Sequence, residues 1–223
     1  MKQARLKRGA TRRVGALDRR ARRALADAGR VMGRLERAAA PAVAAAAEAL
    51  IGSLEAGGTI FFCGNGGSAA DAQHLAAELS GRFFMDRRAL AAIALTTNTS
   101  ALTAIGNDYG FEQSFARQLE GLGRAGDVLV AITTSGGSRN VLAAGRAARA
   151  LGMTVVGMTG PRGRRFAALC DHALVTPSDA TPRIQEGHIA MGHVLCELVE
   201  RALFASGAGR ARRAPVSRAR ARR

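Results

Sequence analysis

The chain has no tryptophan and a single tyrosine, and aromatic residues make up 4% of its 223 positions. Alanine, valine, leucine and isoleucine must therefore fill any core. Proline is scarce at 5 residues while glycine is frequent at 27. That balance fits many tight strand-to-helix turns better than disorder. The three cysteines, Cys63, Cys170 and Cys196, are odd in number and widely spaced. They form neither a Cys-x-x-Cys pair nor a disulfide framework, so a reducing cytoplasm is the expected compartment. Long apolar runs are also missing: runs such as residues 41–47 and 60–63 are far short of the roughly 20 needed to span a bilayer. No membrane association is expected. The basic start is not followed by an apolar segment, which argues against a secretory signal.

What the chain does have is positive charge, 33 basic against 17 acidic side chains and a net +16. The charge is unevenly placed. Residues 1–37 hold 13 basic and 3 acidic groups, residues 210–223 hold 7 arginines and no acid, and the body between them is left at −1. This excludes a globular domain built around a basic groove. Neither arm contains an aromatic residue to stack bases, and no helix-turn-helix is evident. Solvated ends are therefore the preferred reading over nucleic-acid binding.

Apolar residues at Leu25, Val31 or Met32, and Leu35 form a partial helical stripe over residues 18–39. Residues 1–15, interrupted by Gly9 and Gly15, are expected to fray. Pro41 is expected to open a second helix that runs through Leu54 and stops at Gly57-Gly58. From there strand and helix patterns alternate. Strands are expected at 59–63, 90–95, 127–132, 153–158 and 173–175, with helices at 69–80, 99–105, 139–151 and 182–203. The alternation predicts an α/β fold: a three-layer αβα sandwich around a five-stranded parallel sheet, doubly wound in the flavodoxin manner and preceded by N-terminal helices. The expected organisation is a basic extension and helix at 1–37, the α/β domain at 38–205, and an arginine-rich disordered tail at 206–223.

Two loops share a design. Gly64-Asn65-Gly66-Gly67-Ser68 follows the first strand, and Thr133-Thr134-Ser135-Gly136-Gly137-Ser138 follows the third. Each opens a helix. Small residues let backbone N–H groups approach an anion, the helix N-terminus adds positive potential, and the hydroxyls add donors. Two such loops in one domain suggest a phosphorylated ligand. Neither fits the Walker or Gly-x-Gly-x-x-Gly patterns, which disfavours a nucleotide. A second constellation is His74 and Glu78, four residues apart and so on one helix face. A third is Gln185, His188 and His193 on the last helix. His74, Glu78 and His193 offer N, O and N donors suited to zinc, and Gln185 adds a carbonyl oxygen. On spacing alone, however, such a His/Glu pair is more often a surface pair, and helical histidines are more often buried and hydrogen-bonded.

Four blocks in order, GTIFFCGNGGSAADAQHLAAELSGRF, LTTNTSALTAIGNDYGF, GDVLVAITTSGGSRNVL and PRIQEGHIAMGHVLCELVE, resemble the phosphoheptose isomerases of the sugar-isomerase (SIS) domain family. The resemblance covers residues 40–204 and leaves the basic ends outside. It implies an aldose–ketose isomerase that converts sedoheptulose 7-phosphate to D-glycero-D-manno-heptose 7-phosphate through an enediol, the first step towards a nucleotide-activated heptose for lipopolysaccharide or another surface glycan. It implies one Zn2+ per subunit on His74, Glu78, Gln185 and His193, with acid/base roles for Glu78 and His193. Substrate contacts fall on Asn65, Gly66, Gly67, Ser68, Glu78, Asn107, Asp108, Thr133, Thr134, Ser135, Ser138 and Gln185. Without the resemblance, Asp108 reads as an Asx-turn residue. His188 is read as core, or as support for the ligands beside it. The family's second loop commonly has Ser where Thr133 stands and Asn where Gly137 stands, a departure that keeps the hydroxyls. Some members carry an acid where Thr181 or Pro182 stands here, so any role of that acid does not transfer. A cytoplasmic homotetramer is also implied. The competing reading, a non-catalytic SIS-domain regulator that binds a replication-initiator protein, is disfavoured because all four ligand positions are filled.

Overall fold

The structure is a computed structural model that describes residues 2–205, with side chains from Arg13 onward. The expected disordered tail, 206–223, lies outside the described residues.

The first difference from expectation comes at once. Residues expected to fray and then to form two helices are one helix, α1, Lys2–Glu55, with Pro41 inside it. Proline removes a helical N–H and normally breaks or kinks a helix. Here Val31, Leu35, Ala39, Val43, Ala46, Leu50 and Leu54 are all buried, and their three- and four-residue spacing continues unbroken across Pro41. Packing of this stripe on both sides of the proline overrides the local signal. One 18-residue window in the same helix reaches a mean hydropathy of 1.3 and 39% of it is buried, so among the described residues this one helix is long and apolar enough to cross a membrane. That qualifies the expectation that no such stretch exists. The apolarity comes from an alanine-rich run, and its buried stripe is packed on the domain.

The sheet contains β1 (Ile60–Gly64), β2 (Ala92–Ala94), β3 (Val128–Ile132), β4 (Thr154–Thr159) and β5 (His172–Val175). All pairs are parallel and the order is β2-β1-β3-β4-β5, with Ile60 opposite both Ala92 and Val128. The helices that follow are α2 (Gly67–Ser80), α3 (Thr99–Tyr109), α4 (Ala116–Leu122), α5 (Arg139–Ala150), α6 (Arg164–Ala167) and α7 (Thr181–Phe204), with a 3-10 turn at Phe111–Gln113. The expected five-stranded parallel α/β fold is present. The alternation is less strict than expected, because α4 and the 3-10 turn were not foreseen between β2 and β3. Helix α3 also runs past residue 105. Asn98 caps its start by accepting from the Ala101 N–H at 2.9 Å, and it ends where Gly110 adopts a φ of 85°. Asp108 therefore sits in the last helical turn and is not a turn residue.

Strand residues alternate between two cores. Ile60, Phe62, Val128, Val130 and Val156 pack under α1, α2 and α7. Phe61, Cys63, Leu129, Ala131 and Val155 pack with residues of α4, α5 and α6. Both faces are thus covered, as a parallel sheet requires. At the carboxyl ends of β1 and β3 the strand order reverses, and the two glycine-rich loops face each other there, at the place where open α/β sheets bind ligands.

Candidate active site

Helix α2 carries His74 and Glu78 on one face, and α7 carries Gln185 and His193. Gly192 brings the two helices together, since a Cβ there would lie 2.6 Å from the Leu75 side chain. The result is convergence of residues 119 apart in sequence. His74 Nε2 lies 2.9 Å from His193 Nε2 and 3.3 Å from Glu78 Oε1. The Gln185 side chain lies over the first loop, where a Cβ on Gly67 would be 2.5 Å from its Nε2. Glycine at 67 is thus a packing requirement. Gly66, at φ 56°, turns the chain into α2.

This donor set suits a zinc ion in chemistry: two imidazole nitrogens, a carboxylate and an amide oxygen, with the Glu78 side chain 24% exposed and so sheltered but reachable. The spacing is that of a hydrogen-bonded pair. Two tetrahedral zinc ligands stand about 3.3 Å apart, so the rings would open slightly from 2.9 Å. Among the described residues no group of three His, Cys, Asp or Glu is already spaced as a metal cage. The donors fit the ion by type, and His74, Glu78 and His193 already converge.

The second loop has a different character. Thr133 Oγ1 lies 3.0 Å from Ser138 Oγ, and the Gly137 N–H donates to Ser135 Oγ at 3.2 Å. Gly136, at φ 69°, packs directly on Gly163, where no side chain would fit. Thr134 and Ser135 line a small pocket with Arg162 and Asp179. Asn65 and Ser138 line a larger cleft of about 570 Å³ with Tyr109, Glu112, Arg139 and Asn140. Of the other expected contacts, Ser68 and Thr133 are buried, whereas Asn107 donates to Asp108 at 2.8 Å on the exposed end of α3.

Asn140 was missed by sequence reading. Its amide pairs reciprocally with that of Asn65, at 2.8 and 2.9 Å, and so ties the two loops together across the sheet. It is 3% exposed and also reaches Ser114 Oγ at 3.4 Å. An asparagine one residue inside a helix start was the only available signal, and it reads equally well as a local cap.

His188 is fully buried with neither ring nitrogen hydrogen-bonded. Burial pushes its pKa down to about 4, against a smaller opposing pull from the Thr159 backbone. It is therefore a neutral core residue. Burial likewise pushes the Cys63 and Cys196 thiols up to about 12, which makes them poor nucleophiles.

A doubly wound sheet with small-residue loops at its switch point, beside converging imidazole and carboxylate groups, defines a class of ligand-binding α/β domains. The SIS domain family model matches residues 25–160. A phosphoheptose isomerase of Rhodospirillum rubrum is 60% identical over 164 residues, covering 74% of this chain and 87% of that protein. The structure of a phosphoheptose isomerase from Neisseria gonorrhoeae aligns with a TM-score of 0.79 at 46% identity, covering 82% of this chain and 98% of that one. The corresponding Francisella tularensis structure aligns with a TM-score of 0.80 at 39% identity, covering 83% and 98%. The chain belongs to the SIS-domain phosphoheptose isomerases, a family of enzymes.

Proposed function

We propose that the chain isomerises sedoheptulose 7-phosphate to D-glycero-D-manno-heptose 7-phosphate. The observation that carries this reading is the meeting of His74, Glu78 and His193 within 3.3 Å of one nitrogen, beside two neutral anion loops. The reaction moves a proton between C1 and C2 through an enediol, so it needs a base, an acid and a partner for the developing oxyanion. Glu78 and His193 exchange the proton. A bound zinc ion, held by His74, Glu78, Gln185 and His193, would polarise the sugar carbonyl. Asn65 and the backbone of Gly66 and Gly67 orient the reacting end. The hydroxyls of Thr134, Ser135 and Ser138, with the N-terminus of α5, hold the phosphate at the other end of the seven-carbon chain. Asn107 and Asp108 are available to sugar hydroxyls.

The setting follows from the same reading: a cytoplasmic enzyme that supplies heptose to a nucleotide-activated precursor of a surface glycan such as lipopolysaccharide. The reading includes a homotetramer, and an apolar groove of about 420 Å³ between α1 and α7, lined by Met32, Leu35, Val43, Met191 and Val194 among others, offers a surface for contact between subunits. Incubating the purified chain with sedoheptulose 7-phosphate in heavy water tests the chemistry. An aldose 7-phosphate carrying one solvent-derived deuterium is expected. Unchanged ketose would sink the proposal.

A further inference from the structure

Outside the donor cluster, a buried polar assembly centres on Arg87 and Glu200. Their side chains are each 1% exposed, and Arg87 Nε donates to Glu200 Oε1 at 2.8 Å. Arg87 belongs to the segment between α2 and β2; apart from Nη1 donating to the Arg88 carbonyl at 3.0 Å, its remaining hydrogen bonds reach the end of α2. Nη2 donates to the Glu78 carbonyl at 2.8 Å, and Nη1 to the Leu79 carbonyl at 2.8 Å and the Gly81 carbonyl at 3.2 Å. These are among the carbonyls that a helix C-terminus leaves without partners. Glu200 in turn accepts from the backbone N–H groups of Phe83 at 3.0 Å, Phe84 at 2.6 Å and Met85 at 2.9 Å. The Phe83 ring then stands 5.7 Å from the His193 ring.

Helix geometry gives the pair its significance. Glu200 is seven residues beyond His193, so the two share one face of α7, about 10 Å apart along the axis. Arg87 holds the backbone of Glu78 itself. A single guanidinium therefore spans from the residue that carries the active-site carboxylate to the helix that carries the facing imidazole. A buried ion pair is weak evidence for stability, because desolvation offsets much of its attraction. Its geometric role is better defined, since it fixes both the rotation and the axial offset of α2 against α7.

We propose that Arg87 and Glu200 are positioning residues for the isomerase site, setting the distance between the Glu78/His74 pair on α2 and His193 on α7. The inference rests on the proposed function for its catalytic consequence, but its geometric part stands alone. The test uses Arg87→Lys, which keeps the charge but loses the fork, and Leu50→Ala as a destabilised control in the same core. Two quantities are read: kcat against KM on sedoheptulose 7-phosphate, and the nitrogen NMR signature of the His74–His193 hydrogen bond in metal-free protein. For Arg87→Lys we expect kcat to fall at least about tenfold, with KM within about threefold, and the ring-to-ring hydrogen bond to be lost. Leu50→Ala should keep the ring signature and the kcat per folded molecule. A parent-like kcat and ring signature in Arg87→Lys would overturn the proposal, as would equal losses in the control. If Arg87→Lys does not fold, Glu200→Gln, which retains an acceptor for the backbone N–H groups, decides by the same readings. If the parent chain turns over no sugar phosphate, the proposed function falls, and the ring signature alone decides the positioning role.

Discussion

The two sides of the ligand crevice are built from different chemistry. On the α2–α7 side the groups that converge are ionisable: His74, Glu78 and His193, with Arg87 and Glu200 sealed behind them. On the β3–α5 side they are neutral: Thr133, Thr134, Ser135, Ser138 and the Asn65–Asn140 amide pair. Proton transfer and metal binding need groups that change or carry charge, whereas a phosphate can be held by oriented neutral donors at a helix end. Asn140 joins the sides and carries no charge itself.

This division can be broken by substitution, and the largest effect belongs to the ionisable side. Glu78→Gln should lower kcat by about 100- to 10,000-fold while leaving the fold intact, as steady-state kinetics beside circular dichroism would reveal. A large KM change with little loss of kcat would move Glu78 out of proton transfer.

His188 tests whether the same layer also governs pH stability. Its folded pKa, pushed down to about 4, lies below the ordinary value of 6.5. The unfolded chain therefore binds the proton first, and stability that is complete above pH 6.5 declines as the pH falls towards 4. The stability lost across this window is about 3 kcal/mol. Denaturant melts of His188→Gln across this window should show a shallower pH slope than the parent; an unchanged slope would assign the loss elsewhere. Glu200 acts at lower pH. Burial alone would raise its pKa, but the donors from Phe83, Phe84, Met85 and Arg87 outweigh that and hold the carboxyl below its usual range. Its contribution is present above the ordinary carboxylate pKa and disappears as the pH falls through the depressed value.

On the neutral side the effects should be smaller and independent of pH. Asn140→Ala leaves the Asn65 amide without its partner and should cost about 1–3 kcal/mol of stability, read from the chemical-denaturation midpoint. Ser135→Ala removes one donor to the phosphate, a hydrogen bond to a charged group of about 1.5–3 kcal/mol. It should raise KM by roughly 10- to 100-fold and leave the pH–rate profile in place. A shifted profile would end the distinction between the two sides.

Much of this arrangement was legible in the chain. The five strands and the parallel order follow from apolar runs that each end in a small-residue turn. Both loops were identified by composition, and His74 with Glu78 by helical spacing. Other parts depended on distance in three dimensions. Pro41 reads as a helix start because its neighbours cannot reveal that Leu35, Ala39 and Val43 pack on a common surface. Helix α4 was missed because its buried Phe115, Ala116 and Leu119 make too short a stripe. Asn140 offered only an ambiguous cap signal, and nothing around Arg87 points to Glu200, since these partners lie 75 and 113 residues away.

On the proposed reading, ionisable groups from α2 and α7 form one metal-dependent isomerisation site. The most direct measurement is the rate of aldose formation from sedoheptulose 7-phosphate by the full chain, first stripped with chelator and then resupplied with zinc. Turnover should be lost on stripping and recover at one zinc per chain. Full turnover by the stripped protein, or no turnover at any zinc level, would contradict it.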